Sequence, residues 1–217
     1  MKNHKGILAL AIIISLLLID QIVKIYVKTH FYLGEDYEVT RWFHIKFIEN
    51  NGMAFGIELW SKMLLTLGRI AAVIFFIWFI VKAKAVRGIR TGFIVTAALI
   101  TAGAAGNIFD CVFYGEIFNN PYPPQIAHFV DYGEGYATWF EGRVVDMLYF
   151  PLFDINIAGH QWEFFQYIFN IADSCICIGV FMLIFFYTKD LSVAWEAITG
   201  KRKRKRSETD PNVKQDR

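Results

Sequence analysis

Charge is what this chain has little of. Only 19% of its 217 residues are Asp, Glu, Lys or Arg, while 55% are hydrophobic, which excludes an intrinsically disordered protein. The scarcity is also uneven. Residues 201–217 (KRKRKRSETDPNVKQDR) hold 8 basic and 3 acidic groups, leaving residues 1–200 with 31 charges and a net charge of −3. A body that apolar does not suit a water-soluble domain. Cysteine is scarce as well, and three residues (Cys111, Cys175, Cys177) exclude the disulfide framework of a small secreted domain. Cys175 and Cys177 lie two apart in an expected helix, where side chains do not face each other, so neither a bridge nor a shared metal is favoured.

Several reactive signatures are missing too. There is no HExxH zinc motif, no Gly-x-Ser-x-Gly elbow and no Gly-rich phosphate loop. His30, His44, His128 and His160 are scattered through polar connections, and no metal or other cofactor is expected. Ser174 abuts Asp173, but neighbours on a helix point about 100° apart and do not form a dyad. The lack of an internal repeat gives no support to an inverted-repeat transporter.

What the chain has instead is long apolar runs. Four of them, roughly 6–27, 61–81, 91–113 and 164–187, are long enough to cross about 30 Å of hydrocarbon as helices. The first resembles a cleavable signal peptide in its Lys2 and Lys5, yet it continues through Asp20 to Val27 with no small-residue cleavage site. The expected fold class is therefore an all-α membrane protein with four transmembrane helices. Residues 1–200 form one integral membrane domain with outer loops 28–60 and 114–163, followed by a basic tail, 201–217.

Basic residues are retained on the cytoplasmic side of short loops, and here they are lopsided. The N-terminus, the 82–90 loop and everything from Lys189 onward hold 15 basic against 5 acidic residues; the stretches 28–62 and 114–163 hold 5 against 12. Both termini are expected in the cytoplasm and both larger loops outside. Beside a membrane span, the KRKRKR run is read as a contact for anionic lipid headgroups, not for nucleic acid. In 37–48, Phe43, Ile45 and Phe47 alternate with Trp42, His44 and Lys46, which predicts a short outer-face strand ended by an Asn50-Asn51-Gly52 turn. The segment after Tyr114, rich in Pro, Gly and aromatics, predicts an ordered but irregular loop.

The acidic residues inside the spans, Asp20, Asp110 and Asp173, are costly there, at roughly 2.5–3.5 kcal/mol each near a helix centre. With the orientation above, all three lie toward the outer face, with Asp173 about 13 Å below the outer end of its helix. Asp146, just before the fourth span, reaches the same level, as do the amides Gln21, Asn50, Asn107 and Asn170. Amides alone would be read as glue between helices. Two carboxylates brought together in a low dielectric cannot both ionise, and the shared proton is what an acid/base pair uses. Asp20 and Lys24, four apart on one helix face, are expected to form a local, structural ion pair.

Asp20-Gln21-x-x-Lys24, Asn50-x-Gly52-x-Ala54-Phe55, Gly106-Asn107-x-x-Asp110, Val144-Val145-Asp146 and Phe169-Asn170-x-Ala172-Asp173, in this order, resemble the bacterial lipoprotein signal peptidases, or signal peptidase II. The resemblance implies an aspartyl endopeptidase of the bacterial cytoplasmic membrane. Such an enzyme removes signal peptides from diacylglyceryl-modified prolipoproteins, cutting on the N-terminal side of the lipidated cysteine at the periplasmic face. It further implies a catalytic pair at Asp146 and Asp173, supporting or substrate-binding roles for Asp20, Lys24, Asn50, Gly52, Asn107, Asp110, Asn170 and Ala172, no metal, and inhibition by globomycin-type cyclic peptides.

The chain departs from the family pattern twice. Cys111 stands where the family has Arg after the Asp of its Gly-Asn motif, so Arg69 or Arg143 is expected to supply the missing guanidinium to Asp110. Asp110 and Asp146 are 36 positions apart, longer than the family's connection, and the added loop is read either as a lid or as a partner contact. Two other functions compete: a proton-coupled carrier, which predicts acids spread across membrane depth, and a non-catalytic assembly factor, which predicts that the carboxylates serve only as ion-pair partners.

Overall fold

The protein is described here by a computed structural model covering residues 2–51, 62–157 and 160–200. Gly52, Ala54, Phe55 and the basic tail 201–217 lie outside the described residues. The chain begins with α1 (Lys2–His30), whose 29 residues extend about 43 Å, more than a bilayer core requires. At its end Phe31 N–H donates to the Val27 carbonyl at 2.9 Å, while Thr29 Oγ1 donates to Ile25 O at 2.8 Å and His30 Nδ1 lies 2.9 Å from Tyr26 O. Gly34, at φ +92°, then turns the chain, and its N–H donates to Phe47 O at 2.8 Å.

β1 (Asp36–Thr40) and β2 (Phe43–Asn50) form an antiparallel hairpin. α2 (Lys62–Ala83) and α3 (Thr91–Phe109) follow, and α3 runs on through a π-helical turn, Asp110–Tyr114, into the short α4 (Gly115–Ile117). β3 (Val144–Tyr149) pairs antiparallel with both β2 and β6 (Ile168–Phe169), giving the sheet order β1-β2-β3-β6. β4 (Phe153–Ile157) and β5 (His160–Phe164) make a separate hairpin. The chain then continues into α5 (Ile171–Phe186) and α6 (Thr188–Ile198).

The Ala- and Gly-rich α3 is the central helix, packed against α1, α2 and α5. Its small residues permit the approach: a Cβ on Gly103 would strike the carbonyl of Ala172, and one on Gly106 would come within 2.6 Å of Asp20 Oδ2. The outward sides of α1, α2 and α5 carry exposed Ile7, Leu10, Leu18, Leu64, Ile74, Phe181 and Phe185, a surface that suits lipid and not water. α1, α2 and the α3–α4 helix are long and apolar enough to cross a membrane, and α5 with α6 makes a fourth if that bent pair is one span.

The fourth run departs from the sequence reading. A helix was expected from residue 164, yet residues 168–169 are strand and the helix starts only at Ile171. Asn170 caps it: Asn170 Oδ1 accepts from Asp173 N at 2.8 Å, and Asp173 Oδ2 accepts from Asn170 N at 3.3 Å. This is a reciprocal capping box, and it puts Asp173 in the first turn instead of about 13 Å down the helix. At the other end the chain bends by 87°. There Arg90 donates to the Phe186 carbonyl and binds Asp190 Oδ2 through Nε at 2.8 Å, satisfying groups that a straight helix would satisfy internally. The stretch after α4 is irregular, as expected, and the strands β3, β4 and β5 follow it from Val144 onward.

Candidate active site

Five separately encoded pieces meet at one end of the bundle. α1 contributes Asp20, Gln21 and Lys24; β2 contributes Asn50; α3 contributes Asn107 and, at its π turn, Asp110. β3 contributes Asp146, and the start of α5 contributes Asn170, Ala172 and Asp173. The widened π turn is a local change of helical pitch, of the kind often found at functional sites.

Asn170 is the hub. Fully buried, it donates from Nδ2 to Asp146 Oδ1 at 2.7 Å, to Asn107 Oδ1 at 3.1 Å and to Val145 O at 3.3 Å, while its Oδ1 caps Asp173. Asn107 Nδ2 in turn donates to Asp173 Oδ1 at 2.7 Å, and Asn50 Nδ2 donates to Asp146 Oδ2 at 3.3 Å. The two carboxylates are therefore bound to one pair of linked amides. Asp146 is 2% exposed and Asp173 half-buried. Burial pushes the Asp146 carboxyl up to about 7; the charge of Asp173 acts in the same direction, and the Asn50 and Asn170 amides oppose it.

Behind this pair lies an ionic layer. Lys24, with no exposed surface, is 3.0 Å from Asp20 Oδ2 and 2.8 Å from Asp110 Oδ2, and it donates to Asn107 Oδ1 at 2.9 Å. The expected Asp20–Lys24 pair is present, but as part of a triad and not as a local pair alone. Asp20 Oδ1 accepts from the Ala172 N–H at 2.9 Å, an otherwise orphaned donor at the start of α5. Asp110 accepts from Gln21 Nε2 at 2.8 Å and from Val145 N at 3.2 Å. Lys24 thus orients Asn107, while Asp110 holds the strand carrying Asp146.

The expected compensation for Cys111 does not occur. Asp110 does not lack a partner, because Lys24, Gln21 and Val145 occupy both its oxygens. Arg69 instead approaches Cys111 Sγ at 3.5 Å, and Arg143 binds Glu49 at 2.9 Å and Asn120 at 3.1 Å. Sequence reasoning also passed over Tyr114, whose hydroxyl donates to Gln21 Oε1 at 3.0 Å, and the cluster of Lys28, Glu49 and Arg143. Lys28 carried a signal: it follows Lys24 by one helical turn on a face that already bears Asp20. Among the described residues, no group of three His, Cys, Asp or Glu side chains is arranged to hold a metal ion.

With this geometry in hand, likeness to known proteins has a physical basis. A family model described as Signal peptidase (SPase) II matches residues 12–189. A lipoprotein signal peptidase of Porphyromonas gingivalis is 45% identical over 196 residues, covering 87% of this chain and 86% of the relative. One from Amoebophilus asiaticus is 33% identical, over 82% of this chain and 75% of its own length. A bacterial membrane enzyme solved by the in meso method at 1.9 Å superposes with a TM-score of 0.54 at 27% identity, covering 81% of this chain and 89% of that one. A second such structure, at 2.3 Å, gives 0.59 at 24% identity over 85% and 89%, a likeness of fold.

Proposed function

This chain belongs to the signal peptidase II family, a family of proteases; on that premise we propose that it acts as a lipoprotein signal peptidase with Asp146 and Asp173 as its catalytic pair. The observation that carries this reading is the hydrogen-bonded path Asp146–Asn170–Asn107–Asp173, which fixes two carboxylates of unequal burial around shared amides. One carboxylate, ionised, takes a proton from water as the oxygen attacks the scissile carbonyl. The other, protonated, hydrogen-bonds the developing oxyanion and then gives its proton to the leaving amine as the C–N bond breaks, so that the pair again holds one proton. The two titrate as a unit sharing one proton.

The substrate is a diacylglyceryl-modified prolipoprotein, cut just before its lipidated cysteine. Its signal helix lies beside the bundle with the acyl chains in lipid, and membrane lipids supply part of its binding. Four spans, with the α5–α6 pair as the fourth, both termini in the cytoplasm and the carboxylates at the periplasmic face follow from the charge distribution. Globomycin-type cyclic peptides are expected to inhibit. Clustering of the carboxylates at one end of the bundle favours peptidase over proton carrier, which needs acids along the membrane depth. The test is a gel assay of a diacylated precursor with wild type, Asp146→Asn and Asp173→Asn. Each variant is expected to lose cleavage by about 10³-fold or more, a loss comparable to removing one member of a catalytic set; processing by either at the wild-type rate overturns the assignment.

A further inference from the structure

The cluster made by Lys28, Glu49 and Arg143 lies outside the Asp146–Asp173 site, yet it is built with the same care. Lys28 is 2% exposed and forms an ion pair with Glu49. Its ammonium also lies over three ring faces, 5.1 Å from Phe118, 5.3 Å from Tyr136 and 5.9 Å from Phe47. The second oxygen of Glu49 accepts from Arg143 at 2.9 Å. Arg143 stacks 5.0 Å above the Tyr136 ring, while its own backbone N–H donates to the Tyr136 hydroxyl at 2.7 Å. A buried lysine with one carboxylate and a box of rings is costly to assemble, so its placement calls for a reason.

That reason lies in the strand register. Glu49 sits opposite Val145 in the β2–β3 ladder, and Ile48 sits opposite Asp146. Side chains alternate between faces along a strand, so Asn50 reaches Asp146 on one face while Glu49 holds the other. Val145 is clamped as well, its N–H by Asp110 and its C=O by Asn170. The ladder slips in register between Ile45 and Ile48, immediately before these residues, and such an irregularity re-aims the strand that follows. Phe118, Asn120 and Tyr136 all come from the long segment after α3. That segment folds back on α4 and its C-cap through Tyr136 N to Phe118 O at 3.0 Å and Ala137 N to Gly115 O at 3.0 Å.

We propose that Glu49, braced by Lys28 and Arg143, is a positioning residue for Asp146, and that the 114–142 segment is the buttress of this brace and not a lid. The inference rests on the reading of Asp146 as catalytic. The brace fixes the height and tilt of β3 relative to α5, and thereby the separation of the two carboxylates, to which proton sharing is sensitive.

The experiment uses the full-length enzyme in detergent with a diacylated precursor, measuring kcat, KM and thermal midpoint for Glu49→Gln, Lys28→Met and Tyr136→Phe. Glu49→Gln and Lys28→Met are expected to lower kcat about 10- to 100-fold with KM within about twofold, as misplacement of a catalytic group does. Tyr136→Phe, which trims one hydroxyl, is expected to act in the same sense by about threefold. A lowered thermal midpoint with unchanged kcat makes the cluster merely structural and overturns the proposal, as does a raised KM with unchanged kcat. If the charge variants do not fold, Tyr136→Phe decides by the same criteria. Asp146→Asn in the same assay separates the two claims: its retention of activity defeats the catalytic reading, whereas its inactivity beside a fully active Glu49→Gln defeats only the brace.

Discussion

Lys24 is a single cation shared by two buried carboxylates, Asp20 and Asp110, and the amide of Asn107. Lys24→Met leaves Asp20 and Asp110 buried without their charge partner, and breaking such an arrangement costs about 3–5 kcal/mol. Denaturation in detergent is expected to show that loss together with inactivity, because Asn107 loses the donor that orients it. Asp146 supplies a second prediction at this scale. With the Asp146 carboxyl raised by burial to about 7, the proposed pair keeps its shared proton below that pH and releases it above. Cleavage is therefore expected to decline as pH rises past about 7, approaching tenfold per unit, in a pH–rate profile of the lipidated substrate. The sign for stability agrees. The native state binds this proton more tightly than the unfolded chain, so its contribution is complete below about pH 4 and lost as pH rises through about 7. The identities of these residues were legible in the sequence. The service of Asp110 to Val145, and not to an arginine, was not, because a backbone donor on a strand 35 positions away leaves no mark in composition.

At the level of elements, the helices were read well and their ends poorly. Hydropathy marked α2 closely, since 61–81 became Lys62–Ala83, but it extended the fourth span back over residues that are strand and cap. The capping-box pattern Asn170-x-x-Asp173 was present and is the physical signal for the true start. The start point sets the height of the carboxylate: in the first turn Asp173 is level with Asn107 of α3 and its own cap Asn170, whereas two turns deeper it would miss both. Contacts between α3 and its neighbours provide the test. Gly106→Ala places a methyl group 2.6 Å from Asp20 Oδ2 and 3.1 Å from the Ala172 Cβ, and overpacking of this kind costs about 1–3 kcal/mol. Thermal midpoint and cleavage are both expected to fall. Gly68→Ala on α2, with nothing within 4 Å of the added Cβ, is expected to leave cleavage unchanged and to raise stability by about 0.5–1 kcal/mol through helix propensity alone.

The described residues form a bundle whose outer surface suits hydrocarbon and whose carboxylates Asp20, Asp110, Asp146 and Asp173 converge on one end. A substrate that reaches such a site laterally gains about 0.8 kcal/mol per methylene kept in lipid. An unmodified precursor is therefore expected to be cleaved far more slowly than its diacylated form, and equal rates for the two in detergent would remove the lipid from the account of recognition. The charge asymmetry makes a further prediction: a reporter that works only in the cytoplasm, fused after Arg217, is expected to be active.

The sequence by itself determined the membrane character, the family pattern and the identities of the polar residues, because hydropathy and residue type are local properties that any window of the chain displays. It also predicted a strand in 37–48 from simple alternation, where the structure has two, β1 and β2, joined by a turn at Arg41-Trp42. Only the tertiary structure decided which carboxylate meets which amide, where α5 begins, and what the added outer loop supports. Those outcomes depend on strand register, on close approach at Gly103 and Gly106, and on competition among several donors for a few buried oxygens. Such competition is resolved by three-dimensional packing between segments far apart in the chain.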